Sequence, residues 1–93
     1  MLNELFRIVK DRLENPLKGS YTNQLLEEGY QLIAQKVGEE AVEVIIAAGK
    51  QGRQRVIEES ADLIYHLFVL LVNQEIDLQD VEAELERRHK AAE

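Results

Sequence analysis

The residues of this chain best suited to chemistry are two acidic pairs, Glu40 with Glu43 and Glu59 with Asp62, flanked by Glu39 and Glu58. Side chains three apart on a helix share a face, so each pair projects two carboxylates in one direction. Both pairs border apolar positions rather than opposing them: Ala41 and Val44 accompany the first, Ala61 and Leu63 the second. Packing those stripes as an antiparallel hairpin brings four carboxylates toward one another. Such a cluster repels itself and is costly to desolvate unless cations neutralise it. Hard oxygen donors favour magnesium or manganese, because the chain has no cysteine and only His66 among its histidines falls near the acids. An ion so held binds phosphate oxygens, polarises phosphorus and lowers the pKa of a bound water, which are the requirements of phosphoanhydride hydrolysis. Spacing alone leaves a second reading equally open, in which these glutamates are solvated helix faces and nothing more.

The elements that must position the acids are helices. Gly is sparse, there is one Pro, and helix-forming residues dominate. Leu2, Leu5, Phe6, Val9 and Leu13 recur at helical spacing and the pattern stops before Asn15-Pro16. Lys18 to Thr22 reads as a loop, with Thr22 as the cap of a short helix that ends at Gly29. A long helix over about Tyr30 to Lys50 places Ile33, Val37, Ala41, Val44, Ile45 and Ala48 on one side. Gly38, inside it, implies the close approach of another backbone or a ligand. After Gly49 and Gly52, a second long helix runs from Arg53 to about Gln74, and its half from Leu63 to Val72 is apolar nearly all round. A single neighbour cannot cover that segment, which points to a subunit interface. A last amphipathic helix follows Asp77 and carries Val81 and Leu85. The fold expected is all-α: one domain over residues 1–93, a small bundle with a long central hairpin, completed by homodimerisation.

Composition sets outer bounds. Ninety-three residues give a thin core, so a partner subunit is a reasonable expectation. The absence of cysteine removes disulfides and thiolate metal sites. The N-terminus does not read as a signal peptide, and the longest apolar run, Leu67 to Val72, is too short to span a bilayer, so a cytoplasmic protein is expected. A formal charge of −7 argues against a nucleic-acid polymer as partner but not against a single nucleotide reached through cations.

At the acidic pairs the chain resembles a known group. Glu39-Glu40-Ala41-Val42-Glu43 and Glu59-Ser60-Ala61-Asp62 look like the EExxE and ExxD signature of the all-α nucleoside triphosphate pyrophosphohydrolases. Within that superfamily the closer resemblance is to the phosphoribosyl-ATP pyrophosphohydrolases. It is carried by Ser20-Tyr21-Thr22, by Lys36-Val37-Gly38-Glu39-Glu40-Ala41, by Asp62-Leu63-Ile64-Tyr65-His66-Leu67 and by Glu84-Leu85-Glu86-Arg87-Arg88. The resemblance implies hydrolysis of phosphoribosyl-ATP to phosphoribosyl-AMP and pyrophosphate, the second step of histidine biosynthesis, by a free-standing dimer. It implies Glu40, Glu43, Glu59 and Asp62 as magnesium ligands, with Glu39 or one of the ligands, Glu40 or Glu43, helping to take a proton from water.

Other positions carry two readings each. Lys36, one turn before Glu40, is a phosphate contact or half of an i,i+4 ion pair. Ser20, Tyr21 and Thr22 fall in a family-like loop and are candidates to bind substrate, although an N-cap role suits Thr22 better. His66, one turn beyond Asp62, is a substrate contact, ligand or base, or else a hydrogen-bonded packing residue. Tyr65 is expected to pack with its hydroxyl on a polar partner. Arg87 and Arg88 contact phosphates or answer the helix dipole, and Arg53 and Arg55 are expected to be solvated. Two rival functions share these features: a house-cleaning hydrolase of non-standard nucleoside triphosphates, and a non-enzymatic helical dimerisation module.

Overall fold

The computed structural model describes residues 1–92; Glu93, the last residue of the expected domain, lies outside the described residues. Five helices follow in order, α1 (Leu2–Glu14), α2 (Tyr21–Glu28), α3 (Tyr30–Lys50), α4 (Arg53–Asn73) and α5 (Leu78–Ala92), and no strand occurs among the described residues. The all-α fold with a long central hairpin is therefore as the sequence predicts. The hairpin is α3 against α4, and its turn is made by Gln51 and by Gly52 at φ 87, a left-handed value that suits glycine.

The helix ends follow local chemistry. α1 stops at Asn15 because the residue before Pro16 is pushed out of the helical region, and Asn15 takes φ −129 and ψ 76. α2 departs from expectation at its start. Ser20, not Thr22, is the N-cap: it is extended at φ −74 and ψ 128, and its hydroxyl accepts from the Asn23 N–H at 3.2 Å. Thr22 already lies in the first turn, where its hydroxyl meets that of Tyr65 on α4. Asn23 braces the preceding loop, accepting from the Leu17 N–H and donating to the Arg12 carbonyl, both at 2.8 Å.

The core sits at the open end of the hairpin, away from the turn. Phe6 and Val9 of α1, Leu25 of α2, Ile33 of α3, and Phe68, Val69 and Val72 of α4 are buried together. Phe6 meets Phe68 edge to face, with ring centroids 5.4 Å apart. Toward the turn, α3 and α4 cover only each other, and the chain leaves Val42, Ile45, Ile46 and Ile57 exposed, with Ile64 and Leu67 farther along α4. The apolar second half of α4 is thus buried on one side and open on another. Ile45, expected inward, is 70% exposed. No residue of α5 is buried, and Leu85 is exposed. Gly38 has no atom within 4 Å of where a Cβ would stand, so the close backbone anticipated there is absent from the chain itself. No helix is long and apolar enough to cross a membrane.

The core at the open end is what clamps the hairpin. Leu25→Ala, at a fully buried position, is expected to lower unfolding stability by about 3 kcal/mol in urea titration, the usual cost of emptying such a site. A loss below about 1 kcal/mol would mean that α2 does not seal the core.

Candidate metal centre

Glu40 lies at the middle of α3, and Glu59 and Asp62 lie one turn apart near the middle of α4. Antiparallel packing sets these stretches opposite each other, and their carboxylates converge. Glu40, Glu59 and Asp62 each offer an oxygen, and the three oxygens lie within 4.8 Å of one another. Glu43, the fourth acid expected in the cluster, is half-buried on the same helix but outside this trio. The same offset of three that lets Glu59 and Asp62 meet on α4 does not by itself bring Glu43 to the point where Glu40 meets them.

The electrostatics record the crowding. Burial, a hydrogen bond with the Glu59 carboxyl and the charges of Asp62 and Glu59 push the Glu40 carboxyl above the usual glutamate range, and nearby His66 opposes this only in part. Glu59 is 6% exposed. Its countercharge is Arg55, one turn earlier, which bonds Glu59 and also Glu58. Arg55 is exposed, as the sequence predicts, and is in addition tied to the centre through Glu59. The signal was present in the sequence as an i,i+4 spacing to Glu59. Hydrogen bonds from Arg55 and Gln54 hold Glu58 below the ordinary range and keep it exposed and apart from the trio.

Three hard oxygen donors, crowded enough that one resists ionisation, fit a divalent cation of the magnesium class. That cation would remove the repulsion which Arg55 relieves only at Glu59.

The surrounding residues divide into two groups. His66, 6% exposed, is pinned at both nitrogens: Nδ1 lies 2.8 Å from the Asp62 carbonyl and Nε2 lies 3.1 Å from the Tyr21 hydroxyl. A carbonyl only accepts, so Nδ1 carries the proton, and in the neutral ring Nε2 receives the Tyr21 O–H. Tyr65 stacks on Tyr21 and its hydroxyl bonds Thr22 as anticipated, while burial raises its pKa. Tyr21 and Thr22 are thereby carried to the back of the acidic site, whereas Ser20 is used as the cap. Lys36 pairs with Glu39 at 3.6 Å, an i,i+3 pair rather than the i,i+4 pair with Glu40. Glu39 is exposed, and a hydrogen bond from Gln35, followed by Lys36, lowers its pKa. Arg87 and Arg88 both bind Glu84 on α5 and are not brought to the acids.

The chain is similar to known proteins along nearly its whole length. The sequence profile of the phosphoribosyl-ATP pyrophosphohydrolase family matches residues 2–89. The chain is 53% identical over 90 residues to a phosphoribosyl-ATP pyrophosphatase of Sulfurisphaera tokodaii, covering 97% of this chain and 96% of that protein. It is 53% identical over 88 residues to one of Listeria welshimeri, covering 95% and 84%. A histidine biosynthesis bifunctional protein of Caldanaerobacter subterraneus is 51% identical over 90 residues, and the chain spans 44% of that protein's length.

Glu40 supplies a signed prediction. Its carboxyl holds a proton more tightly folded than unfolded, so without metal the folded state loses stability as pH rises above the ordinary glutamate value of 4.5. The loss is complete once pH has passed the raised folded value, and below 4.5 it vanishes. Thermal unfolding in chelator should therefore show a Tm that falls less steeply with pH in Glu40→Gln than in the parent protein. Comparing the two cancels the opposite slopes of Glu39, Glu58 and Glu84. Identical slopes would contradict the crowding.

Proposed function

Because the chain belongs to the phosphoribosyl-ATP pyrophosphohydrolase family, we propose that it hydrolyses phosphoribosyl-ATP to phosphoribosyl-AMP and pyrophosphate within histidine biosynthesis. The observation that carries the reading is the convergence of Glu40, Glu59 and Asp62, residues of the family-like motifs, on one point. A magnesium or manganese ion held there supplies Lewis acidity to phosphate oxygens and lowers the pKa of bound water.

The chain's own residues do the rest. Glu40, Glu59 and Asp62 would hold the ion, and Arg55, paired with the buried Glu59, keeps that carboxylate in place. Glu43 makes no ion pair or hydrogen bond among the described residues and lies one turn from Glu40, which leaves its carboxylate available to take the proton released from water. Glu39 is a poorer acceptor because its pKa is lowered. Lys36 sits one turn before Glu40 and exchanges its weak pairing with Glu39 for a phosphate oxygen. His66, with both nitrogens engaged, holds the Asp62 turn and α2 in place. The single domain works in the cytoplasm, where nucleotides are made, and uses neither a membrane nor a nucleic-acid polymer.

The exposed apolar face of the hairpin supports a homodimer. Val42, Ile45 and Ile46 on α3 and Ile57 and Ile64 on α4 leave an oily surface that a second copy would bury. Gly38 lies on the same edge as Val42 and Ile45 with open space above it, which admits a partner helix closely.

Incubation with phosphoribosyl-ATP and magnesium should release pyrophosphate and phosphoribosyl-AMP. Glu40→Gln and Asp62→Asn should each reduce turnover at least about a thousandfold while helical circular dichroism is retained; turnover within tenfold of the parent would refute the metal role. In sedimentation, the protein should run at twice the chain's 10.7 kDa, and Ile45→Asp should halve that mass; a parent protein that runs as a monomer would exclude the dimer.

A further inference from the structure

Tyr21 is held more tightly than an exposed tyrosine at a helix start requires. Its residue is 47% exposed, yet its hydroxyl is fixed on buried His66. Its back face lies 6.2 Å from the Tyr65 ring at 25°, and its edge meets the His66 ring at 82°. Tyr21 lines a cleft of about 330 Å³ between α2 and α3, whose wall also includes Gln24, Glu27, Glu28, Leu32 and Lys36. Tyr21, Gln24 and Glu28 share one face of α2 by their spacing of three and four.

Position ties this cleft to the acids. Leu32, Lys36 and Glu40 are successive turns of one face of α3, and Lys36 precedes Glu40 by about 6 Å along the axis. A nucleotide whose α–β anhydride lies at the acidic trio extends its sugar and base over a comparable distance, with Lys36 under the phosphates. Glu27 and Glu28 complete the pattern. Among the described residues neither has a side-chain ion-pair or hydrogen-bond partner, which leaves both carboxylates at the cleft open to a ligand.

Taking the proposed activity for the identity of the base, we infer that this cleft is the base-recognition subsite, with Tyr21 as its stacking platform and Glu27 and Glu28 as its charge-reading carboxylates. The chemistry of the substrate explains the combination. An adenine that already bears one sugar and carries a second on a pyrimidine-ring nitrogen is an amidinium cation, whereas the adenine of ATP is neutral. A cation is attracted both to the face of a tyrosine ring and to unpaired carboxylates. The subsite therefore selects the doubly substituted nucleotide over ordinary ATP, which a metal centre gripping only phosphates cannot do.

The test is calorimetric binding of AMP and of its N1-methylated, cationic analogue, which needs no turnover. The parent protein should bind the cationic analogue at least about tenfold more tightly than AMP, a difference of about 1.4 kcal/mol. Tyr21→Leu should weaken both by about tenfold, as loss of one stacked base does, whereas Tyr21→Phe should retain most of the binding. Glu27→Gln combined with Glu28→Gln, both on exposed positions that do not bear on folding, should bring the two affinities together. Equal affinity of the parent for the two probes, or a preference that survives the double substitution, would overturn the subsite even if phosphoribosyl-ATP is hydrolysed. Selective binding in a protein that does not hydrolyse it would leave the subsite standing and remove the proposed activity.

Discussion

The carboxylates of Glu40, Glu59 and Asp62 offer oxygens within 4.8 Å of one another, and like charges that close repel unless a cation lies between them. The rest of the structure answers that constraint. Long antiparallel helices set Glu40 opposite Glu59 and Asp62, and the core at the open end stops them from sliding apart under repulsion. Arg55 neutralises the most buried acid, and the raised pKa of Glu40 marks the charge left over. An electrostatic deficit of this kind costs the folded protein stability and would favour a cation at the same point.

The short helix α2 is the second part of the design. It contributes only Leu25 to the buried core, but its first turn makes two hydroxyl contacts with α4, Tyr21 to His66 and Thr22 to Tyr65. Because His66 also bonds the Asp62 carbonyl, the turn that carries Asp62 and the wall of the neighbouring cleft form one connected unit. Burying His66 with both nitrogens satisfied avoids the cost of an orphaned polar group and fixes its tautomer.

Much of this was legible in the chain. The bounds of α3 and α4 followed from Gly29, Gly49, Gly52 and the apolar period, and the end of α1 followed from Pro16, because those signals act within one turn of backbone. The acid spacing also pointed to the meeting of Glu40 with Glu59 and Asp62, once the apolar stripes beside them pack as a hairpin. What escaped depended on neighbours distant in sequence or on choices between local partners. Ser20 and Thr22 are both competent caps, and only the presence of Tyr65 across the bundle decides which hydroxyl is spared for it. Glu43 and Asp62 each follow an acid by three residues, yet only Asp62 joins the trio, a difference that spacing along one helix does not carry. Arg55 was readable, since it stands one turn before Glu59, yet its position beside the turn suggested solvent. Ile45 and Gly38 read as inward positions and face outward in the chain, because an apolar period marks a covered face without saying what covers it.

The most direct measurement of the central claim is anomalous scattering from crystals grown with manganese. The account predicts one strong peak at about 2.0–2.3 Å from oxygens of Glu40, Glu59 and Asp62 together. A fully occupied ion bound elsewhere, with those three side chains turned away from one another, would contradict it.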